Sequence, residues 1–253
     1  MALIKECLFQ SDPEYKNALY PDKESEFSKK IKPFTFSLVL PPGCIGKKEK
    51  FFVDESIEVE DTVFYLPDNM KLFLFVSSSS YEFITNLYNG LLQVREFDFD
   101  KSAELKIYFE RAYIINEKNI NSDEVTFKTT SPILIEDKNG KPLLPFECEE
   151  NFFNEQFNII HDKILQDLRT IDRKKGPGLY KPMEFIPILK SLRKQVVKHT
   201  LKEFREKTGK PYMMLTTFSG SFRLKGDPRD LQLLYQSGFG LRTGQGFGMV
   251  EVV

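Results

Sequence analysis

The sequence predicts an α+β protein in which the ferredoxin-like order of strand, helix, strand, strand, helix, strand is complete in the second half and shortened at the front of the first. Three observations predict it. Short runs that alternate aromatic or branched residues with polar ones, such as KPFTFSLVLPP and MKLFLFVSSS, have the period of strands. Two longer stretches, YEFITNLYNGLLQV and EENFFNEQFNIIHDKILQDLRT, repeat apolar residues by threes and fours, the period of helices. A polar stretch, EKNINSD, divides the chain near its middle. A length of 253 residues accommodates two ordinary domains, which we place at 1–122 and 123–253.

Taken in order, LIKECLFQSDPEYKNAL stands where an opening strand and helix belong and is too compressed for both. KPFTFSLVL is a strand stopped by the breakers Pro41, Pro42 and Gly43. MKLFLFVSSS is a second, and Ser80 caps the helix that carries Phe83, Leu87 and Leu91 or Leu92 on one side. AELKIYFERAYII and EVTFKTTSPILIED are strands on either side of the polar divide. The next helix carries Phe153, Phe157, Ile160, Ile164 and Leu168. RKKGPGLYKP is a loop and MEFIPIL a strand. KSLRKQVVKHTLKEFREKTG suits a helix through Leu192, Val196, Leu201 and Phe204, yet QVVKHTL equally suits a strand. PYMMLTTFSGSFRLKG is a long strand, DPRDLQLLYQSG a helix opening at Asp227 with Pro228 in its first turn, and GFGMVEVV the closing strand.

Composition excludes several classes. Hydrophobic residues are 41% and charged residues 29%, a globular balance. No apolar run is long enough to cross a bilayer and no cleavable signal opens the chain, so it reads as cytoplasmic. Cys7, Cys44 and Cys148 are scattered, so neither a disulfide framework nor a metal site is expected, and no cofactor is implied. A net charge of −1 leaves contact with an anionic partner to local patches. These are KKIK from Lys29 to Lys32, KKEK from Lys47 to Lys50, RKK from Arg173 to Lys175, and KSLRKQVVK from Lys190, and a solvated lysine face is the plainer reading of each.

The densest signal is SGFGLRTGQGFGMVEVV, which holds Gly238, Gly240, Gly244, Gly246 and Gly248 of only 14 glycines in the chain. A dinucleotide fingerprint is excluded, because the glycine spacing is wrong and a strand rather than a helix follows. A tight helix-to-strand connection needs one or two glycines. Exposed backbone N–H groups in such a loop form an anion-binding concavity, and Arg242, Thr243 and Gln245 add a guanidinium, a hydroxyl and an amide suited to phosphate or base edges. Phosphate or RNA contact is the expectation for this segment.

Read as a whole, GDPRDLQLLYQSGFGLRTGQGFGMVEVV closely resembles the C-terminal signature of the CRISPR-associated endoribonucleases that cut repeat RNA into guide units. KPFTFSLVL resembles an early strand of that family, and FKTTSPILI the first strand of its second domain. The resemblance spans essentially the whole chain. It implies two tandem ferredoxin-like, RRM-like βαββαβ domains, with a hairpin at QVVKHTL. It also implies CRISPR repeat RNA as the partner, gripped partly by the glycine-rich loop, and admits other CRISPR effector subunits. The oligomeric state stays open between monomer and homodimer. The implied reaction is metal-independent: the ribose 2′-hydroxyl attacks the adjacent phosphate, leaving a cyclic phosphate and a free 5′-hydroxyl.

That reaction needs a base, an acid and a cation. Many members of the family place a histidine just before the FTFS-like strand, with a lysine between them and a tyrosine earlier. Here SDPEYKNALYPD matches that segment, Tyr20 stands at the histidine position, and the earlier tyrosine position falls near Lys5. Lys29, Lys30 and Lys32 are the lysine candidates; Tyr20, Lys29 and Lys32 form the expected cleavage centre. A tyrosine with its ordinary pKa is only about 0.1% ionised at neutral pH. Positioned acid–base catalysis is worth roughly 10²–10⁴ in rate. Tyr20 therefore weakens the enzyme reading and raises the alternative of a relative that holds repeat or guide RNA without cutting it; a scaffold with no RNA contact ranks last. His161 and His199 are expected in surface or packing roles. Lys47 and Lys48, with Lys50, are either an RNA-facing wall or a solvated loop.

Overall fold

The computed structural model describes residues 1–21, 31–54, 57–67, 69–100, 105–170, 174–199 and 202–253. Lys29, Lys30, Arg173 and Leu201 lie outside the described residues. The first half comprises α1 (Ala2–Ser11), α2 (Pro13–Leu19), β1 (Phe34–Val39), β2 (Ile45–Asp54), β3 (Ile57–Tyr65), β4 (Phe73–Ser78), α3 (Tyr81–Val94), β5 (Glu96–Asp100) and β6 (Leu105–Tyr108). The second comprises β7 (Glu124–Thr129), α4 (Glu150–Leu168), β8 (Glu184–Pro187), β9 (Arg193–His199), α5 (Lys202–Thr208), β10 (Met213–Ser219), β11 (Ser221–Lys225), α6 (Pro228–Ser237) and β12 (Val250–Val252).

The second half carries one antiparallel sheet in the order β12-β7-β11-β8. With β7, β8, β11 and β12 as first to fourth strands, that is the ferredoxin arrangement, in which the first strand lies between the fourth and the third. Alternation explains the faces: Val125 and Phe127 on β7 and Phe222 and Leu224 on β11 are buried. Onto them pack Phe153, Phe157 and Ile164 of α4 and Leu231 and Leu234 of α6 in one core. Asp227 caps α6 by accepting the Arg229 N–H, and Pro228 fits the first turn because its missing N–H has no intrahelical partner there. β9 and β10 form a hairpin inserted between β8 and β11. The predicted long strand PYMMLTTFSGSFRLKG bends at Gly220, whose φ of +131° a side chain would strain. The ambiguous stretch is both things in turn: a strand over Arg193–His199, then the short helix α5.

In the first half, among the described residues, β1 and β4 form a two-stranded sheet. α1 and α3 cover one face around Ile4, Cys7, Leu8, Phe34, Phe83 and Leu87. The Phe34 and Phe83 rings stack with centroids 4.1 Å apart. Ser80 caps α3 as expected, accepting the Phe83 N–H. Among the described residues no strand precedes α1, and LIKECLFQSDPEYKNAL is helical throughout, broken only where Asp12 caps α2. Two predicted strands are corrected. Among its described residues AELKIYFERAYII is strand over Leu105–Tyr108, and residues 109–121 run without helix or strand, leaving Ile114 98% exposed. EVTFKTTSPILIED is strand only to Thr129, because the Thr130 and Ser131 N–H groups both turn to Met249 O. The lysines of KKEK sit not in a loop but on β2 of the exposed β2–β3 hairpin. Among the described residues no helix is long and apolar enough to cross a membrane.

Candidate functional site

The glycine-rich segment leaves α6 at Ser237, passes a single 3-10 turn over Thr243–Gln245, and enters β12. Its course is a wedge between β1 of the first half and the core of the second. Thr35 on β1 is buried and donates its hydroxyl to Phe247 O at 2.8 Å; Ser37 donates to Thr130 O at 2.9 Å. Ser237 donates to Ser79 at 2.8 Å. The wedge accounts for glycines that a simple connection would not need. A Cβ on Gly244 would fall 2.8 Å from Lys32 Cγ, and one on Gly248 would fall 2.0 Å from Phe239 O at a φ of +78°. Gly238, Gly240 and Gly246 also hold positive φ against close neighbours. Close packing accounts for all five without any ligand, Gly238, Gly244 and Gly246 against the first half and Gly240 and Gly248 within the second, which is more than the one or two expected of a connection.

The backbone donors are also engaged. Gly238, Gly240, Leu241, Gly246 and Gly248 donate to Leu234 O, His161, Leu134 O, Thr243 O and Pro132 O. The anion-binding concavity expected from the glycines is therefore closed at these positions. Thr243 is buried, its methyl group packed toward Gly238. Arg242 and Gln245 are half-buried and face each other, with Arg242 Nη1 3.4 Å from Gln245 Oε1. Arg242 takes a left-handed backbone, φ +60°, which turns its side chain toward Met213 on β10.

His161 fixes this loop, a role with no local sequence signal. It is fully buried on α4; Nδ1 lies 2.7 Å from Phe157 O, and Nε2 accepts the Gly240 N–H at 3.0 Å. A carbonyl on one side and an N–H on the other select the neutral tautomer with its proton on Nδ1. Burial drives its pKa down to about 4. His199 on β9 is half-buried beside the Phe247 ring, and burial, then the Arg242 cation, then the amino terminus hold it below the ordinary imidazole range.

Tyr20 and Lys32 do come together. Lys32 Nζ lies 5.0 Å from the Tyr20 ring centroid and Lys5 Nζ 4.7 Å, so two ammonium groups flank the ring. Lys32 also donates to Leu19 O. The Tyr20 hydroxyl points to Met1 Sδ at 3.5 Å, and burial, reinforced by Tyr15, pushes its pKa further above the ordinary phenol value. Lys32 reaches Gly244, so this cluster borders the glycine wedge. Lys47 and Lys48 stand apart on the hairpin and are exposed, Lys47 over the Tyr65 ring at 5.3 Å. Lys198 on β9 ties that hairpin to the second half through Glu60 O at 2.6 Å. Among the described residues no three His, Cys, Asp or Glu side chains gather to hold a metal ion.

Residues 115–252 match the family model described as CRISPR associated protein Cas6, C-terminal. No curated protein sequence matches. Among solved structures, a Cas6-related protein from Pyrococcus furiosus aligns with a TM-score of 0.63 at 18% identity, covering 100% of this chain and 88% of that one. A CRISPR associated protein Cas6 aligns at 0.60 and 22% identity, covering 100% and 89%. A RAMP protein described as binding different RNA substrates aligns at 0.60 and 19% identity, again covering 100% and 89%. Their common fold is two tandem ferredoxin-like domains.

Proposed function

The chain belongs to the CRISPR-associated Cas6 family, and from that premise we propose that it binds CRISPR repeat RNA along the seam where the glycine wedge meets β1. The carrying observation is the convergence there of cations from separate elements. Lys5 and Lys32 flank Tyr20 on one side of the wedge, and Arg242 with Gln245 stand on it. Guanidinium and ammonium groups grouped beside an aromatic ring suit phosphate and base contact.

Cleavage requires that the 2′-oxygen attack phosphorus as the bond to the 5′-oxygen breaks, with a proton accepted from the first oxygen and one delivered to the second. The seam supplies cations for the charge on phosphorus. Its tyrosine is a poor proton acceptor, since burial raises the Tyr20 pKa, and His161 is enclosed and engaged at both nitrogens. The reading best supported is a protein that holds repeat or guide RNA and passes it to other CRISPR effector subunits, with cleavage slow or absent. One observation favours a second reading, a metal-independent endoribonuclease: His199 Nδ1 is buried without a hydrogen-bond partner among the described residues, and burial, then Arg242, lower the pKa of its ring.

The test is incubation with its own repeat RNA in a chelator. Tight binding with little product is expected. A rapid single cut leaving a cyclic phosphate, abolished by His199→Ala, establishes the second reading instead. Arg242→Ala with Gln245→Ala should weaken repeat RNA binding roughly tenfold or more and lower its salt dependence. Unchanged affinity removes the seam as the grip.

A further inference from the structure

The outer face of α6 lines an open groove of about 600 Å³, closed on its other sides by the segment around Asn119–Asn121 and by Tyr81 at the start of α3. Its walls are fixed. Gln232 on α6 donates to Glu117 and accepts the Ile120 N–H at 2.8 Å, which clamps the segment to the helix. What faces the groove is of a different kind. Tyr81 is 92% exposed, leaving its ring open to a stacking partner. The side-chain amides of Asn119, Asn121 and Gln236 have no hydrogen-bond partner among the described residues.

Arg229 closes the far end in a prepared geometry. Its guanidinium lies 3.9 Å from the Tyr180 ring centroid, and Nε and Nη2 hold Asp227 at 2.9 and 2.8 Å in the guanidinium plane. Tyr180 is itself held by its N–H to the buried Asp230, which also binds Arg169 at 2.7 Å. One face of Arg229 is therefore covered by the ring, its edge is filled by the carboxylate, and the side chain is still 67% exposed. Planar guanidinium groups and tyrosine rings are the two platforms on which unpaired bases stack, and free amides are the groups that read base edges.

We propose that this groove is a second RNA subsite, taking single-stranded nucleotides that flank the segment held at the glycine wedge, with Tyr81 and Arg229 as stacking platforms. It rests on the RNA-binding reading above. Continuity supports it, since Gln236 stands just before Gly238 and the groove runs from there to Arg229. That is about 10 Å along the helix at ~1.5 Å per residue, space for two or three nucleotides at ~3.4 Å per stacked phosphate. The two carboxylates at the groove are engaged, Glu117 by Gln232 and Asp227 by Arg229. Binding here is by stacking and amide contact more than by charge, so it has a signature distinct from the wedge.

The test compares repeat RNA with and without its single-stranded flanks by fluorescence anisotropy over a range of salt. Tyr81→Ala with Asn121→Ala should weaken binding of the flanked RNA roughly tenfold, the scale of one lost base stack. The salt slope should stay unchanged, flank-less RNA should bind as before, and Tyr81→Phe should restore the affinity. Both positions are exposed, so an unchanged melting temperature is expected. Affinity within twofold of wild type for the flanked RNA overturns the groove while leaving the wedge intact, provided Arg242→Ala with Gln245→Ala still weakens binding. Failure of the wild-type protein to bind repeat RNA overturns both.

Discussion

The two halves differ most in how their strands pair among the described residues, and the difference reaches well beyond the strands themselves. In the second half the first strand, β7, lies between β12 and β11, and seven phenylalanines around it, Phe127, Phe153, Phe157, Phe185, Phe218, Phe222 and Phe239, are at most 2% exposed. In the first half, among the described residues, β4 pairs with β1 and with no second strand, residues 109–121 form no strand, and Phe73, Phe75, Tyr88, Leu92 and Ile114 face solvent. A central strand pairs on both sides, whereas among the described residues β4 is paired on one side alone. The first half is then held largely by α1 and α3 and by the seam with the glycine wedge.

Core truncations should break the comparison most sharply. Phe157→Ala and Phe83→Ala each remove a fully buried ring, at about 3–5 kcal/mol. Phe157→Ala should lower the denaturation midpoint of the whole protein. Phe83→Ala should strip amide-exchange protection from α1, β1, β4 and α3 while β7 and β11 remain protected. Loss of protection in both halves together would show one cooperative unit, and the asymmetry would be structural without being energetic.

His161 gives the next largest effect and belongs to the second half alone. Its pKa is about 4 when folded, against about 6.5 for an ordinary imidazole, so the unfolded chain binds the extra proton first as pH falls. Stability present above about pH 6.5 is therefore lost between there and pH 4, by roughly 3 kcal/mol, and then levels off. Protonation also removes the acceptor for Gly240. His161→Phe should flatten this part of the stability–pH profile, and a slope that persists in the variant would place the titration elsewhere. The seam itself should be worth less. Thr35→Val keeps shape and leaves Phe247 O without its donor, at about 1–3 kcal/mol. A cost near zero would mean the halves do not brace each other there.

How far the sequence foretells this protein follows the same asymmetry. The caps at Ser80 and Asp227, the helices that bury Phe83 and Phe157, and the second-half strand order are written in local residue types and periods. The stretch IYFERAYII has strand alternation too, but a strand exists only with a partner, and no local pattern reports whether one is present. The β2–β3 hairpin is hard to read for the opposite reason: its exposed lysines and acids alternate with few buried positions, Val59 among them, so KKEK reads as a solvated loop. At the site, Tyr20 and Lys32 were foreseeable from the family resemblance. His161 was not, because its partner Gly240 lies 79 residues away. The glycines are visible in the sequence, but the close approach of β1 that three of them accommodate is a tertiary fact.

The smallest expected effect concerns Lys47 and Lys48, the most exposed of the expected RNA contacts. Lys47→Ala with Lys48→Ala should leave stability within about 0.5 kcal/mol, as surface changes usually do. Repeat RNA binding separates their two readings. If the hairpin lies along the RNA, affinity should fall a few-fold and the salt slope by about 0.7–0.9 for each lysine that neutralised a phosphate, because fewer counterions are released on binding. The tie from Lys198 to Glu60 keeps the hairpin against β9, within the half that carries the wedge, so an RNA crossing the seam passes the hairpin's flank. An unchanged slope would place these lysines in bulk solvent and confine the RNA to the wedge and the α6 face.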